Sequence, residues 1–413
     1  MRALPVEGMR DYLPEEMALR DELINKIVKT YKENGFRRIS TPAVESIENL
    51  DNSDGGENLK LIYRIAKRGE KLDKAIASGD QSQLCDLGLR YDLTLPLARY
   101  YTAHQNDLPV PFKCIQVDRV YRAERPQKGR MREFIQCDID ILGSESVDCE
   151  AELMSVTAEA LQNIGINSFR IIVNHRAVIR AVILHCGFSE EQVNSVCITI
   201  DKLDKIGTDG VKAELLAKDF SYEATKKLMT LLGRKEITLE KLCEYGAEEP
   251  AKELFGVIEA AKEISGGKYD IVFDITLVRG QGYYTGTVFE ISCDEFGGTV
   301  AGGGRYDGLI GRFSGKDVPA VGFSIGFERI FSVLSDRGAK TDGRKRAAVL
   351  YNEGSFAAAY TYAKTLHSEY DVTLVIAKKK IGKQFGQLEQ QGYDAAVVFD
   401  NDKEWKDLQK KAE

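Results

Sequence analysis

Arg122-Ala123-Glu124 is followed by Arg130 and Phe134. An arginine and a glutamate at the end of one strand, a basic loop, and an aromatic residue on the returning strand have the chemistry of a nucleotide clamp. A guanidinium offers a planar fork of charged hydrogen bonds to a phosphate, and a ring offers a stacking face to a base. The same residues also suit an exposed hairpin with a solvated charged tip. The local pattern alone does not choose between the two.

Three further clusters share the arginine–glycine theme. Leu277-Val278-Arg279-Gly280-Gln281-Gly282-Tyr283-Tyr284 places one arginine at the end of an apolar strand, among glycines and paired tyrosines. Such an arginine can stabilise charge developing at a phosphate; a bulge with aromatic edge packing is the plainer alternative. Gly302-Gly303-Gly304-Arg305-Tyr306-Asp307 reads as a glycine-rich turn. It is not a Walker loop, because no Gly-Lys-Ser/Thr follows. Val321-Gly322-Phe323-Ser324-Ile325-Gly326-Phe327-Glu328-Arg329 reads as the start of a helix packed closely on a sheet, and Arg329 alone would equally suit a surface charge.

The elements that position these residues follow from apolar spacing. Residues 15–34 have helical periodicity, ended by Gly35. A strand is expected at 36–39, strands with turns over 59–92, and a helix at 94–104. Residues 112–121 and 133–142 read as paired strands around the charged loop. A helix at 148–164 and a strand at 169–173 precede a Lys/Glu-rich helical region, about 176–264, which reads as an insertion. Strands resume at 270–278 and 286–293, and a helix is expected at 323–337. Beyond a Thr341-Asp342-Gly343 linker the tail alternates strand and helix to residue 399, as a small α/β domain does.

Bulk properties narrow the class. The 413 residues are 43% hydrophobic and 29% charged, with a formal net charge of -7. That is a soluble composition with room for two or three domains. The charge balance neither supports nor excludes a nucleic-acid partner, since local patches decide. Eight cysteines without a C-x-x-C pair, only four histidines and no H-E-x-x-H point to reduced thiols and away from a metal site. No signal region or apolar run long enough to span a bilayer is present, so a cytoplasmic protein without membrane contact is expected.

Taken together, the four clusters resemble the class II aminoacyl-tRNA synthetases, and within them the histidyl enzymes. Gly8-Met9-Arg10-Asp11-Tyr12-Leu13-Pro14 is similar to that family's opening, and Pro42 closes a segment like motif 1. Arg122, Glu124, Arg130 and Phe134 fit motif 2, and Gly326, Glu328 and Arg329 fit motif 3. The stretches from Arg279 to Tyr284 and from Gly303 to Asp307 look like the two motifs peculiar to histidyl enzymes. The resemblance implies an α+β fold: a class II synthetase-type antiparallel sheet flanked by helices, with the helical insertion and the small C-terminal α/β domain. It implies a catalytic domain over 1–340 and a shortened anticodon-binding-like domain over 345–413.

The implied activity is ATP-dependent activation of histidine, with Mg²⁺, and its transfer to tRNA(His) by a cytoplasmic homodimer. By position, Arg122 would take the α-phosphate and the substrate carboxylate side, Glu124 the adenine amino group, and Arg130 the outer phosphates. Phe134 and Arg329 would cover opposite faces of the adenine, with Arg329 reaching the γ-phosphate. Arg279 would be the catalytic cation at the α-phosphate. Asp92 and Thr94 would hold the α-amino group. Gln136 and Asp140 would face the pocket, and Tyr283 and Tyr284 would close over the imidazole. Gln281-Gly282 departs from the family's usual Leu-Asp pair and removes a carboxylate. The same fold also serves a non-charging paralogue that regulates ATP phosphoribosyltransferase in histidine biosynthesis. The arginines at 122, 130, 279 and 329 set this chain apart from that paralogue.

Overall fold

The strand Glu133–Leu142 sets the plan of the molecule. Its odd positions Cys137, Ile139 and Ile141 are apolar and buried, whereas Gln136, Asp138 and Asp140 are polar and also buried. Successive side chains of a strand point to opposite faces, so one face joins an apolar core and the other carries carboxylates. The structure is a computed structural model and describes residues 3–53, 56–127, 129–234, 237–278, 282–341, 343–400 and 404–408.

This strand is antiparallel to both neighbours, with Asp140 opposite Cys114 on one side and Gly322 on the other. Among the described residues the sheet has eight strands. Their order is Arg37–Arg38, Phe112–Tyr121, Glu133–Leu142, Ala320–Gly326, Gly298–Arg305, Thr287–Cys293, Phe169–His175 and Asp270–Phe273. Neighbours among the six central strands are antiparallel, and the two edge strands run parallel to theirs. The helices Pro14–Glu33 and Asp148–Asn163 join the core on the apolar face, through Leu23, Ile27, Leu153 and Met154 against Ile139 and Phe323. The first of these helices starts with Pro14 and carries Glu15 and Glu16 in its first turn, the residues that suit a helix start.

A second apolar cluster lies with the other face. It joins Leu97 and Tyr101 of the helix Thr94–His104 to Tyr283, Tyr284, Tyr306 and Leu309. Between Phe169–His175 and Asp270–Phe273, six helices are found among the described residues, from Arg176–Cys186 to Glu248–Ser265. The chain divides into two compact units, Met1–Ala339 and Lys340–Glu413. The second holds a four-stranded sheet, ordered Tyr370–Ile376, Lys345–Tyr351, Ala395–Val398 and Glu404–Asp407, with only the last strand antiparallel to its neighbour. No helix among the described residues is long and apolar enough to cross a membrane.

The strand expected at 270–278 stops at Phe273, where Asp274 accepts from the Thr276 amide at 2.8 Å and starts a turn. Three further local expectations fail for physical reasons. Gly302-Gly303-Gly304 is not a turn but part of the strand Gly298–Arg305. A Cβ on Gly303 would lie 2.0 Å from the Gly322 carbonyl oxygen, and one on Gly304 2.7 Å from that of Thr287. These glycines permit close strand approach. The helix expected at 323–337 starts only at Phe327, because Ala320–Gly326 is a strand. Val321, Phe323 and Ile325 alternate there with Gly322, Ser324 and Gly326, a period of two that small residues disguise. Within 59–92, Glu70–Ser78 is a helix rather than a strand. Leu72, Ala75 and Ile76 have i, i+3, i+4 spacing, and Gly79 ends the helix at φ +69°.

Candidate active site

The cleft on the polar face of the sheet has one cationic and one acidic region. Arg122, Glu124, Arg130, Phe134 and Arg329 all line it, together with Asp92, Thr94, Gln136, Asp140, Tyr283 and Tyr284. These residues come from four separate stretches of sequence, which the central strands bring into one wall.

The cationic region is built on the hairpin tip. Arg122 donates from Nε to the Tyr91 carbonyl oxygen at 3.0 Å, and its guanidinium carbon lies 5.1 Å from the centre of the Phe134 ring. Arg130 pairs with Glu124 at 3.7 Å. Arg329 sits in the first turn of the helix Phe327–Asp336, donates to the Thr299 carbonyl oxygen and lies over the Phe296 ring. Gly8 supports the loop from below: its carbonyl oxygen accepts from the Arg132 amide at 2.7 Å. Its φ is +81°, and a Cβ there would meet the Arg132 side chain at 2.8 Å, so only glycine suits the position.

The acidic region is buried. Asp92 accepts from the Leu95 amide at 3.2 Å and from the Tyr283 hydroxyl at 3.4 Å. Asp140 accepts from the Tyr306 hydroxyl at 2.7 Å. Burial raises the Asp92 carboxyl, against the pull of the Leu95 amide and the Arg122 charge. Burial and the charge of Asp140 hold Asp138 well above the usual carboxylate range. Burial also pushes Asp140 up to about 7, against the donation from Tyr306. Buried carboxylates short of positive charge favour a ligand that brings ammonium or N–H groups. A polyanion suits the first region and an amine the second. Arg122 couples the two, because its charge also acts on Asp92 and Asp138.

Sequence reasoning assigned no role to Asp138, Tyr306 or Ser324, all of which line the cleft. Asp138 had a signal, since it lies two residues from both Gln136 and Asp140 on the strand Glu133–Leu142 and so shares their face. Ser324 had none, because the helix expected at 323–337 does not give it a strand face. Arg305 belongs to the framework instead: its guanidinium donates twice to Glu150, at 2.7 Å each, where both are buried. Glu328 takes a buried ion pair with Arg20 at 2.8 Å. Arg279, Gly280 and Gln281 lie outside the described residues.

The chain has clear relatives. A family profile described as Histidyl-tRNA synthetase matches residues 8–330. A protein of Leifsonia xyli subsp. xyli named histidine–tRNA ligase is 43% identical over 348 residues, 80% of this chain and 80% of that protein. One of Christiangramia forsetii with the same name is 36% identical over 401 residues, 92% of this chain and 88% of the other. The crystal structure of histidyl-tRNA synthetase from Nostoc sp. PCC 7120 superposes with a TM-score of 0.79 at 28% identity, covering 99% of this chain and 95% of that one.

Proposed function

The chain belongs to the histidyl-tRNA synthetase family, and on that premise we propose how its cleft performs the reaction. The reaction is the ATP-dependent attachment of histidine to tRNA. The observation that carries the assignment of roles is the division of one cleft into a region of guanidiniums and a region of buried carboxylates, with Arg122 acting on both. ATP lies with its phosphates against Arg122, Arg130 and Arg329. Its adenine sits between Phe134 and Arg329, with the amino group on Glu124. Asp92 and Thr94 receive the α-ammonium of histidine, Gln136 and Asp140 line the rest of the amino-acid pocket, and Tyr283 and Tyr284 close over the imidazole. A pocket of this polarity rejects apolar competitors, because they leave its buried groups unpaired.

Chemistry follows from position. The carboxylate of histidine attacks the α-phosphate in line and pyrophosphate leaves. The ribose hydroxyl of tRNA then attacks the adenylate carbonyl, losing its proton, and AMP leaves as the ester forms. The protein orients the reactants and neutralises the charge that builds at the α-phosphate, through Arg122 and, as the sequence proposes, Arg279. No group of three or more His, Cys, Asp or Glu side chains able to hold a metal occurs among the described residues. The Mg²⁺ expected with ATP would share the neutralisation of the triphosphate with these arginines. A homodimer and a cytoplasmic setting belong to the same proposal. Relatives spanning most of the chain are named as ligases, so the regulatory paralogue is not favoured.

The test is ATP–pyrophosphate exchange with each of the twenty amino acids. Exchange is expected with histidine alone. Arg279→Ala should lower it at least about a hundredfold with an unchanged circular dichroism spectrum. Histidine binding without exchange would revive the regulator, and a few-fold loss in Arg279→Ala would remove that residue from catalysis.

A further inference from the structure

One buried polar atom in the amino-acid pocket has a direction but no partner. The Gln136 amide nitrogen donates to Ser324 Oγ at 2.7 Å and lies 3.5 Å from Asp138 Oδ1. Its amide oxygen, Oε1, is buried and has no hydrogen-bond partner among the described residues. Gln136 is 8% exposed and lines the cleft. A carboxamide is a donor at one end and an acceptor at the other, and its orientation is set by what surrounds it. Leaving such an acceptor unmade inside a protein is costly, and the orientation is held by the 2.7 Å donation from the amide nitrogen to Ser324 Oγ.

The register explains how the arrangement is held. Ser324 is directly opposite Asp138 across the paired strands, and Gln136 is opposite Gly326. Gln136 and Asp138 are two apart on one strand and so share a face. Asp138 and Ser324 thus form a two-point seat for the nitrogen of Gln136.

We propose that Asp138 is a positioning residue: with Ser324 it fixes the Gln136 carboxamide so that its oxygen is presented to an N–H group of bound histidine. This inference rests on the cleft being the histidine site. It assigns to Asp138 a task distinct from contact with the substrate. The seat converts an ambiguous side chain into a dedicated acceptor, which favours a substrate with N–H groups over an isostere without them.

The test uses steady-state exchange by the full-length protein. Asp138→Ala should raise KM for histidine about tenfold or more, with kcat within about twofold. Gln136→Glu alone should also raise KM, because it removes the N–H donor that Ser324 and Asp138 hold. In the Asp138→Ala background, Gln136→Glu should instead restore KM to within about threefold of the wild type, since a carboxylate accepts whichever way it turns. Ser324→Ala removes the shorter contact and should raise KM by itself, which keeps the test open if Asp138→Ala does not fold. Active wild-type protein with unchanged KM in Asp138→Ala and Ser324→Ala, or a double variant no better than Asp138→Ala, would overturn the proposal. Absence of histidine-dependent exchange in the wild type would overturn the site assignment instead.

Discussion

Replacing Asp140 by Asn should make the protein more stable above neutrality and inactive at once. Asp140 is 3% exposed, and its carboxyl is pushed up to about 7 from an ordinary value of about 3.9. Between those values the folded protein keeps a proton that the unfolded chain has released. The stability linked to this group is therefore complete below about pH 4 and is lost as pH rises to about 7. A displacement of about three pH units, at about 1.4 kcal/mol each, amounts to about 4 kcal/mol in full. Between pH 5 and pH 8 the part lost is about 3 kcal/mol. Asparagine has nearly the same shape, keeps an acceptor for the Tyr306 hydroxyl and never ionises. The assay is urea denaturation of wild type and variant at both pH values, followed by circular dichroism. The variant should gain about 3 kcal/mol on the wild type from pH 5 to pH 8. Titrations shared by the two proteins cancel in this comparison. An equal difference at both pH values would refute the reasoning. Saturating histidine should protect the wild type and leave the variant unprotected.

Two other perturbations test the frame around the site. Arg20→Ala strands Glu328 in a buried position, since the two are 3% and 8% exposed and paired at 2.8 Å. The expected cost is about 3–5 kcal/mol by denaturation, with much of it recovered by Arg20→Met combined with Glu328→Leu; a cost under about 1 kcal/mol would show that water already reaches the pair. Gly303→Ala puts a methyl 2.0 Å from a carbonyl oxygen of the facing strand, whereas Gly308→Ala meets nothing within 4 Å. The first should lose at least about 3 kcal/mol and the second change by under about 0.5 kcal/mol; equal melting curves would refute the close-approach account.

How much of this was legible beforehand depends on how local each signal was. The paired strands around the clamp were readable, because ten residues on each side keep strand chemistry and the loop between them is charged. The helical insertion was readable from its persistent Lys/Glu faces. The strand Ala320–Gly326 was not, because glycine and serine on its cleft side erase the polar half of the alternation. The same erasure turned Gly302-Gly303-Gly304 into an apparent turn. Both failures have one cause. Cleft-facing positions on the central strands are kept small for a ligand or a neighbouring strand, so they lose the pattern by which strands are recognised. Gly322 shows this most directly: a Cβ there would lie 1.9 Å from the Asp140 carboxylate.

That cause also explains why site residues were easier to name than the elements carrying them. An arginine or a tyrosine keeps its chemistry in any context, so Arg122 and Tyr283 stood out without a correct fold, whereas Asp92 entered through the family resemblance; all three line the cleft. The gaps they need around them are made by glycines, whose purpose appears only when two distant segments meet. Asp138 falls between these cases. Its carboxylate was visible in the alternation, yet its action on Gln136 depends on Ser324, which is 188 positions away in the chain and paired with Gln136 only through the sheet. Function at this site therefore rests on a contact that no local window of sequence contains. The strand register that creates the contact is held by the same apolar positions, Cys137, Ile139, Phe323 and Ile325, that build the core behind it.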